Sequence, residues 1–310
     1  MRLLGKFAIP LVLIGSAMAA PLGSSTRTII PAQVQQVISV DYRALRNSES
    51  GMALKARVLP ENLKQFEQAL RGMSIDPDKD VEQLTFVAFR TKNGVRTVGV
   101  AQGATLDAKK FATRMKRKKI KPEKYRTSDI YSTGTGMVVN FLDPSAMLFG
   151  EASAVKAVLD TRDGESEGIA GNAQMNEMIA DVESGPVWSV LDQAGTQNMM
   201  RSALGDAAKL ADYDLIKKRM LGSRYTVDFS RGVAFNLNVV TSDTMTAATM
   251  SSLIKAGMMY KRMNATAAEK NALESMTVDS DSGRLTIQFK ADDRKFQSLL
   301  QTDLFAAVSR

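Results

Sequence analysis

Residues 84–119 read LTFVAFRTKNGVRTVGVAQGATLDAKKFATRMKRKK, and this stretch decides the fold class. Thr85–Phe89 is rich in β-branched and aromatic residues, Asn93-Gly94 is a strong two-residue hairpin signal, and Val95–Ala101 forms the return strand. Thr105 or Asp107 then caps a helix with Phe111 and Met115 one turn apart. The stretch therefore encodes a β-hairpin followed by an amphipathic helix.

Working outward, the same order recurs. Downstream, 125–132 and 137–142 are strands across the turn 133–136, a short strand covers 146–150, and a helix follows over 152–159. Residues 161–173 are polar and glycine-rich, which marks a join. Beyond it come a helix with Met175, Met178, Ile179 and Val182, a strand over 186–191 holding Trp188, and a helical region over 198–221. The spacing then predicts a hairpin over 225–240, a helix capped by Asp243, and a capping box from Thr266 to Glu269. A second hairpin turns at Asp281-Ser282-Gly283, and a last helix lines up Phe296, Leu299, Leu300 and Leu304. Upstream, 37–42 is a strand, and a helical region interrupted at Gly51 resumes at Pro60 with Leu63, Phe66, Leu70 and Met73 facing the core.

Each half thus reads strand, helix, hairpin, helix, hairpin, helix, and LDAKKF at 106–111 echoes ADDRKF at 291–296. The expected fold is α+β, with antiparallel sheets built from repeated β-hairpin–helix units in two pseudo-repeated halves, 34–165 and 172–310.

The first residues have the form of a signal peptide. Arg2 and Lys6 precede an apolar run over 7–14, and Ala17-Met18-Ala19 supplies small residues for a cut after Ala19. Residues 1–19 are read as this leader and 20–33, with Pro21, Gly23 and Pro31, as a flexible lead-in. The expected location is periplasmic or extracellular. No later segment is apolar enough to span a bilayer, which takes about 20 residues.

The chain has 310 residues, no cysteine and no histidine. Those absences remove disulfides, thiolate and imidazole chemistry, Ser-His-Asp triads and the usual zinc, copper and haem ligands. The remaining motifs favour structural roles. Ser153–Lys156 and Ser252–Lys255 match S-x-x-K, but the companion motifs of the serine acylases are missing, and two matches are what this content of Ser and Lys produces by chance. Asp76, Asp78 and Asp80 begin like a calcium loop, yet Val81 and Val87 replace the required Gly and Glu. The 18 methionines, including Met258, Met259 and Met263, fall at apolar helical positions and read as core filler rather than as Cu(I) ligands. No motif calls for a cofactor.

The sharpest local feature is basic. Lys109, Lys110, Arg114, Lys116, Arg117, Lys118, Lys119 and Lys121 fall within 13 positions of a chain carrying a net charge of +8. Such a run either forms a solvated helix face or contacts an anionic envelope component, a lipid headgroup or a wall polymer. Nucleic acid is disfavoured because no aromatics interleave the cations for base stacking. Two function classes follow: an exported, non-enzymatic protein that binds or scaffolds, or an enzyme using carboxylate and lysine chemistry alone.

Overall fold

A computed structural model describes residues 20–58, 67–68, 70–72, 75–133, 136–204 and 213–302. The expected leader over 1–19, the Pro60 helix start with Leu63 and Phe66, and the positions of Met73 and Leu304 lie outside these residues.

Among the described residues twelve antiparallel strands form one sheet, in the order β11-β12-β10-β9-β8-β1-β2-β3-β7-β6-β5-β4. They are β1 Val34–Asp41, β2 Gln83–Thr91, β3 Gly94–Gln102, β4 Glu123–Tyr125, β5 Ser128–Ser132, β6 Met137–Asp143, β7 Ala146–Glu151, β8 Val187–Leu191, β9 Met220–Asp228, β10 Val233–Thr241, β11 Met276–Asp281 and β12 Arg284–Ala291. The Asn93-Gly94 hairpin pairs Thr91 with Gly94, and Gly94 takes the positive φ of 99° that a tight turn asks of it. From the central β1–β8 pair the strands run outward as β1-β2-β3-β7-β6 on one side and β8-β9-β10-β12-β11 on the other.

Cross-strand partners share a face, so the register fixes which helices lie where. Leu84, Val40, Val187, Val227, Phe235 and Phe289 form one row across the sheet. Their face carries α3 (Glu49–Val58), α5 (Ala108–Arg117), α8 (Gln193–Leu204), α10 (Thr244–Met263) and α12 (Asp293–Leu300), each contributing side chains to its clusters. The opposite face has Val87, Val37 and Val190 in register. There α6 (Ala152–Arg162) and α7 (Ala173–Ala180) bury Val155, Val158, Met175 and Ile179 against Trp188.

Several expectations change in detail. Residues 20–33 are not a flexible lead-in: they form the short helix α1 (Ser24–Thr28), and Leu22, Ile29 and Ile30 enter the core. Burying those three apolar side chains supplies the driving force that Pro and Gly content alone does not reveal. The strand expected over 125–132 is split into β4 and β5, with Arg126 at φ 51° in the turn between them. Met220, expected in a helix, opens β9, with Met220 and Ser223 buried. The join over 161–173 packs back on the chain's start, Pro31 bridging to Gly168 with Ile169 buried.

Candidate functional site

The basic run is held by a helix with a defined start and stop. Asp107 caps α5, its carboxylate accepting the Lys110 amide at 2.9 Å. That bond is the main cause holding the Asp107 carboxyl below its usual range. Phe111 and Met115 are buried, and the Phe111 ring meets Tyr131 edge-on at 5.3 Å and Phe141 at 5.2 Å. At the other end Lys119 turns left-handed at φ 59°, the Ile120 amide returns to the Met115 carbonyl, and the Lys119 amide returns to Lys116. This is a Schellman stop with lysine where glycine is usual.

At 100° per residue, Lys109, Lys110, Lys116 and Arg117 centre on the side of α5 opposite Phe111 and Met115. The eight cations divide by what they touch. Lys110 lies 3.6 Å from its own cap Asp107, Lys118 donates to the Gly72 carbonyl at 2.5 Å, and Arg114 is half-buried. Lys109, Lys116, Arg117, Lys119 and Lys121 are exposed and have no ion-pair partner among the described residues. The neighbouring Lys124 and Arg126 differ, pairing with Asp129 at 2.7 Å and Asp160 at 2.7 Å. Cations in the last helical turn also suit the negative end of the helix dipole.

A polar cleft of about 360 Å³ lies at the ends of β1, β2 and β3, lined among others by Ala20, Asp41, Arg43, Glu82 and Gln83. Asp41 caps α2 (Tyr42–Arg46) by accepting the Ala44 amide at 2.9 Å, and Arg43 lies 3.4 Å from Glu82. The Arg43 Nε has no hydrogen-bond partner among the described residues.

The strongest concentration of carboxylate and lysine chemistry is a closed cluster. Lys55 lies 2.7 Å from Glu67 and 3.5 Å from Asp78 and meets the Tyr42 hydroxyl, which itself donates to Glu67 at 2.9 Å. Burial, helped by these carboxylates, pushes the Tyr42 hydroxyl well above its usual range. Burial works against the Asp78 carboxylate, but the Arg71 hydrogen bond and the Lys55 charge keep it low. Among the described residues these groups partner one another, and the cluster ties α2, α3 and the turn at Asp78 together. Among the described residues the carboxyls of Asp78, Asp107, Asp143, Asp163, Asp214 and Asp243 are held below their usual range by hydrogen bonds and neighbouring cations.

The other motifs take structural positions. Lys156 of the first S-x-x-K pairs with Glu123 at 2.6 Å, and Ser252 and Lys255 are exposed. Asp76 caps α4 (Pro77–Asp80), and among the described residues no acidic group is arranged to hold a metal ion. Met175, Met178 and Met200 are core residues, but Met259 and Met263 are 73% and 78% exposed, against the expectation of core packing. Helix α10 buries Thr246, Ala247, Met250 and Ser251 in its first half only, so its far turns reach past the covered face.

No family model matches the sequence, and no curated protein matches it. Among solved structures, crystal form III of TP0453 superposes with a TM-score of 0.51 at 8% identity, covering 88% of this chain and 96% of that one. Crystal form I of the same protein superposes with a TM-score of 0.48 at 7% identity, over 94% of this chain and 99% of that one. Among the described residues no helix is long and apolar enough to cross a membrane, and the mixed helical and antiparallel architecture shared with form III is α+β.

Proposed function

We propose that this is an exported, non-enzymatic protein of the cell envelope that binds an anionic surface through the outer face of α5. The observation that carries the reading is the set of five exposed cations without ion-pair partners among the described residues: Lys109, Lys116 and Arg117 on a helix locked down by Phe111 and Met115, and Lys119 and Lys121 just past its end. Lipid headgroups and acidic wall polymers share the anionic chemistry this face attracts. The leader-like residues 1–19 support export. Pseudo-repeated halves are part of the same reading, supported by the matching outward strand orders; superposing residues 27–165 on 172–310 tests them.

Binding is tested by sedimentation with anionic and neutral vesicles and with an acidic polymer. A cation near an anionic surface contributes about 1 kcal/mol. Changing Lys109, Lys116 and Lys121 together to Gln should therefore weaken partitioning by roughly a hundredfold at low salt. Wild-type retention should fall as salt shortens the screening length to about 8 Å near 0.15 M. Equal retention of variant and wild type at low salt refutes the reading.

A further inference from the structure

Ala20 is a small residue held by an unusual number of bonds. It is 3% exposed, and its amide donates to the Gly185 carbonyl at 3.3 Å. Its carbonyl accepts from Ser39 Oγ of β1 at 3.3 Å, Gln83 Nε2 of β2 at 3.1 Å and Trp188 Nε1 of β8 at 3.0 Å. One carbonyl therefore bridges three neighbouring strands, including the β1–β8 pair at the middle of the sheet. Trp188 is the single tryptophan and is fully buried, so its indole N–H needs an acceptor from the protein. Next along, the Pro21 carbonyl also accepts from Gln83 at 3.1 Å, and Leu22 enters the core.

The same residue lines the polar cleft, whose charged groups among the described residues are the carboxylates of Asp41 and Glu82 and the guanidinium of Arg43. Two negative groups and one positive leave the cleft one cation short.

We propose that Ala20 is the mature amino terminus and that the cleft is the seat for its α-ammonium. The inference rests on reading residues 1–19 as a leader. A leader peptidase adds water across the Ala19–Ala20 bond; the new carboxylate leaves on Ala19, and the amine retained on Ala20 takes up a proton at neutral pH. One N–H keeps the Gly185 carbonyl, and the others turn to the carboxylate-lined cleft, whose charge they balance. A cut one residue later would remove the carbonyl that Trp188, Gln83 and Ser39 share.

The intact mass of the exported protein gives the first test. A chain beginning at Ala20 is expected. A chain beginning at Pro21 or later overturns the seat while leaving export standing, and an unprocessed chain beginning at Met1 overturns both. The second test uses Trp188 as the reporter, in leaderless chains beginning at Ala20 or at Leu22. The chain from Ala20 should emit at shorter wavelength and resist acrylamide. The chain from Leu22 should emit several nanometres to the red and quench several-fold faster, with its far-ultraviolet dichroism retained. Identical emission and quenching overturn the seat. The third compares the Ala20 chain with a free and an acetylated amine: the free amine should melt a few degrees higher, and equal melting overturns the charge pairing. Should the Leu22 chain fail to fold, the mass and acetylation measurements still decide.

Discussion

Gly99→Ala should destabilise the protein although alanine suits a strand better than glycine does. Gly99 lies in β3, opposite Phe86 on one side and Phe149 on the other. A Cβ built there would sit 2.0 Å from Phe149 Cζ and 2.5 Å and 2.6 Å from two further ring carbons. The Phe149 ring is 5% exposed and stands edge-on to Phe86 at 6.1 Å, in the cluster beneath α5. It has little room to withdraw. Overpacking of this kind costs about 1–3 kcal/mol, against roughly 0.5–1 kcal/mol returned by replacing glycine within a strand. A net loss of about 1–2 kcal/mol should appear as a lower urea midpoint with an unchanged slope. Phe149→Leu removes the far ring atoms, so the pair Gly99→Ala with Phe149→Leu should lose less than the two single losses added together, by about 1 kcal/mol. A Gly99→Ala protein as stable as wild type, or strict additivity of the pair, refutes the packing argument.

Two further outcomes follow from the helix ends. Lys119 holds a left-handed conformation that costs an L-residue about 1–2 kcal/mol, so Lys119→Gly should be neutral or up to about 1 kcal/mol stabilising once glycine's chain entropy is deducted; a clear loss in urea midpoint would show that the lysine side chain matters to the stop. Asp243 caps α10, and the Thr246 amide hydrogen bond, aided by its hydroxyl and Arg219, pulls its carboxyl from 3.8 down to about 2. A depressed carboxyl contributes stability above the unfolded value and loses it as pH falls through the folded one. Asp243→Asn should therefore flatten the fall in urea midpoint between about pH 4 and pH 2, and an unaltered acid profile would deny Asp243 that role.

The hairpins were legible because their signals are local. Asn93-Gly94 and Asp281-Ser282-Gly283 specify turns, and the positive φ values at Gly94, Ser282 and Gly283 fall there. Asp107, Asp243 and the Thr266–Glu269 box likewise announced their helices. The fate of residues 20–33 was not legible, because Pro21, Gly23 and Pro31 describe only local chain preference, whereas the burial of Leu22, Ile29 and Ile30 is settled by a distant strand face. The eight cations were found in sequence, and Phe111 and Met115 pointed inward as their spacing implied. That Lys118 and Lys110 keep partners depends on Gly72 and Asp107, the first of which is remote in sequence. The polar cleft had no sequence signal, since Ala20, Asp41 and Glu82 meet only through strand register.

That register also explains why the strands on the two sides of the β1–β8 pair differ on the face of the sheet away from α5. The row through Val87, Val37 and Val190 continues into Arg224, Asn238, Thr286 and Asp279, and the neighbouring row through Trp188 into Thr226, Asn236, Gln288 and Thr277. In β10 the alternation Asn236, Leu237, Asn238, Val239 places polar side chains there and apolar ones beneath α10. A helix laid on those amides would strip them of water without giving each a partner, which costs more than the apolar contact returns. So α12 packs through Phe296 on the α5 side with Phe289, while α6, following the β6–β7 hairpin, packs through Val155 and Val158 on the opposite side. The sheet thus carries different helix layers on the two sides of the β1–β8 pair, and alternate residues of β9 to β12 decide between them.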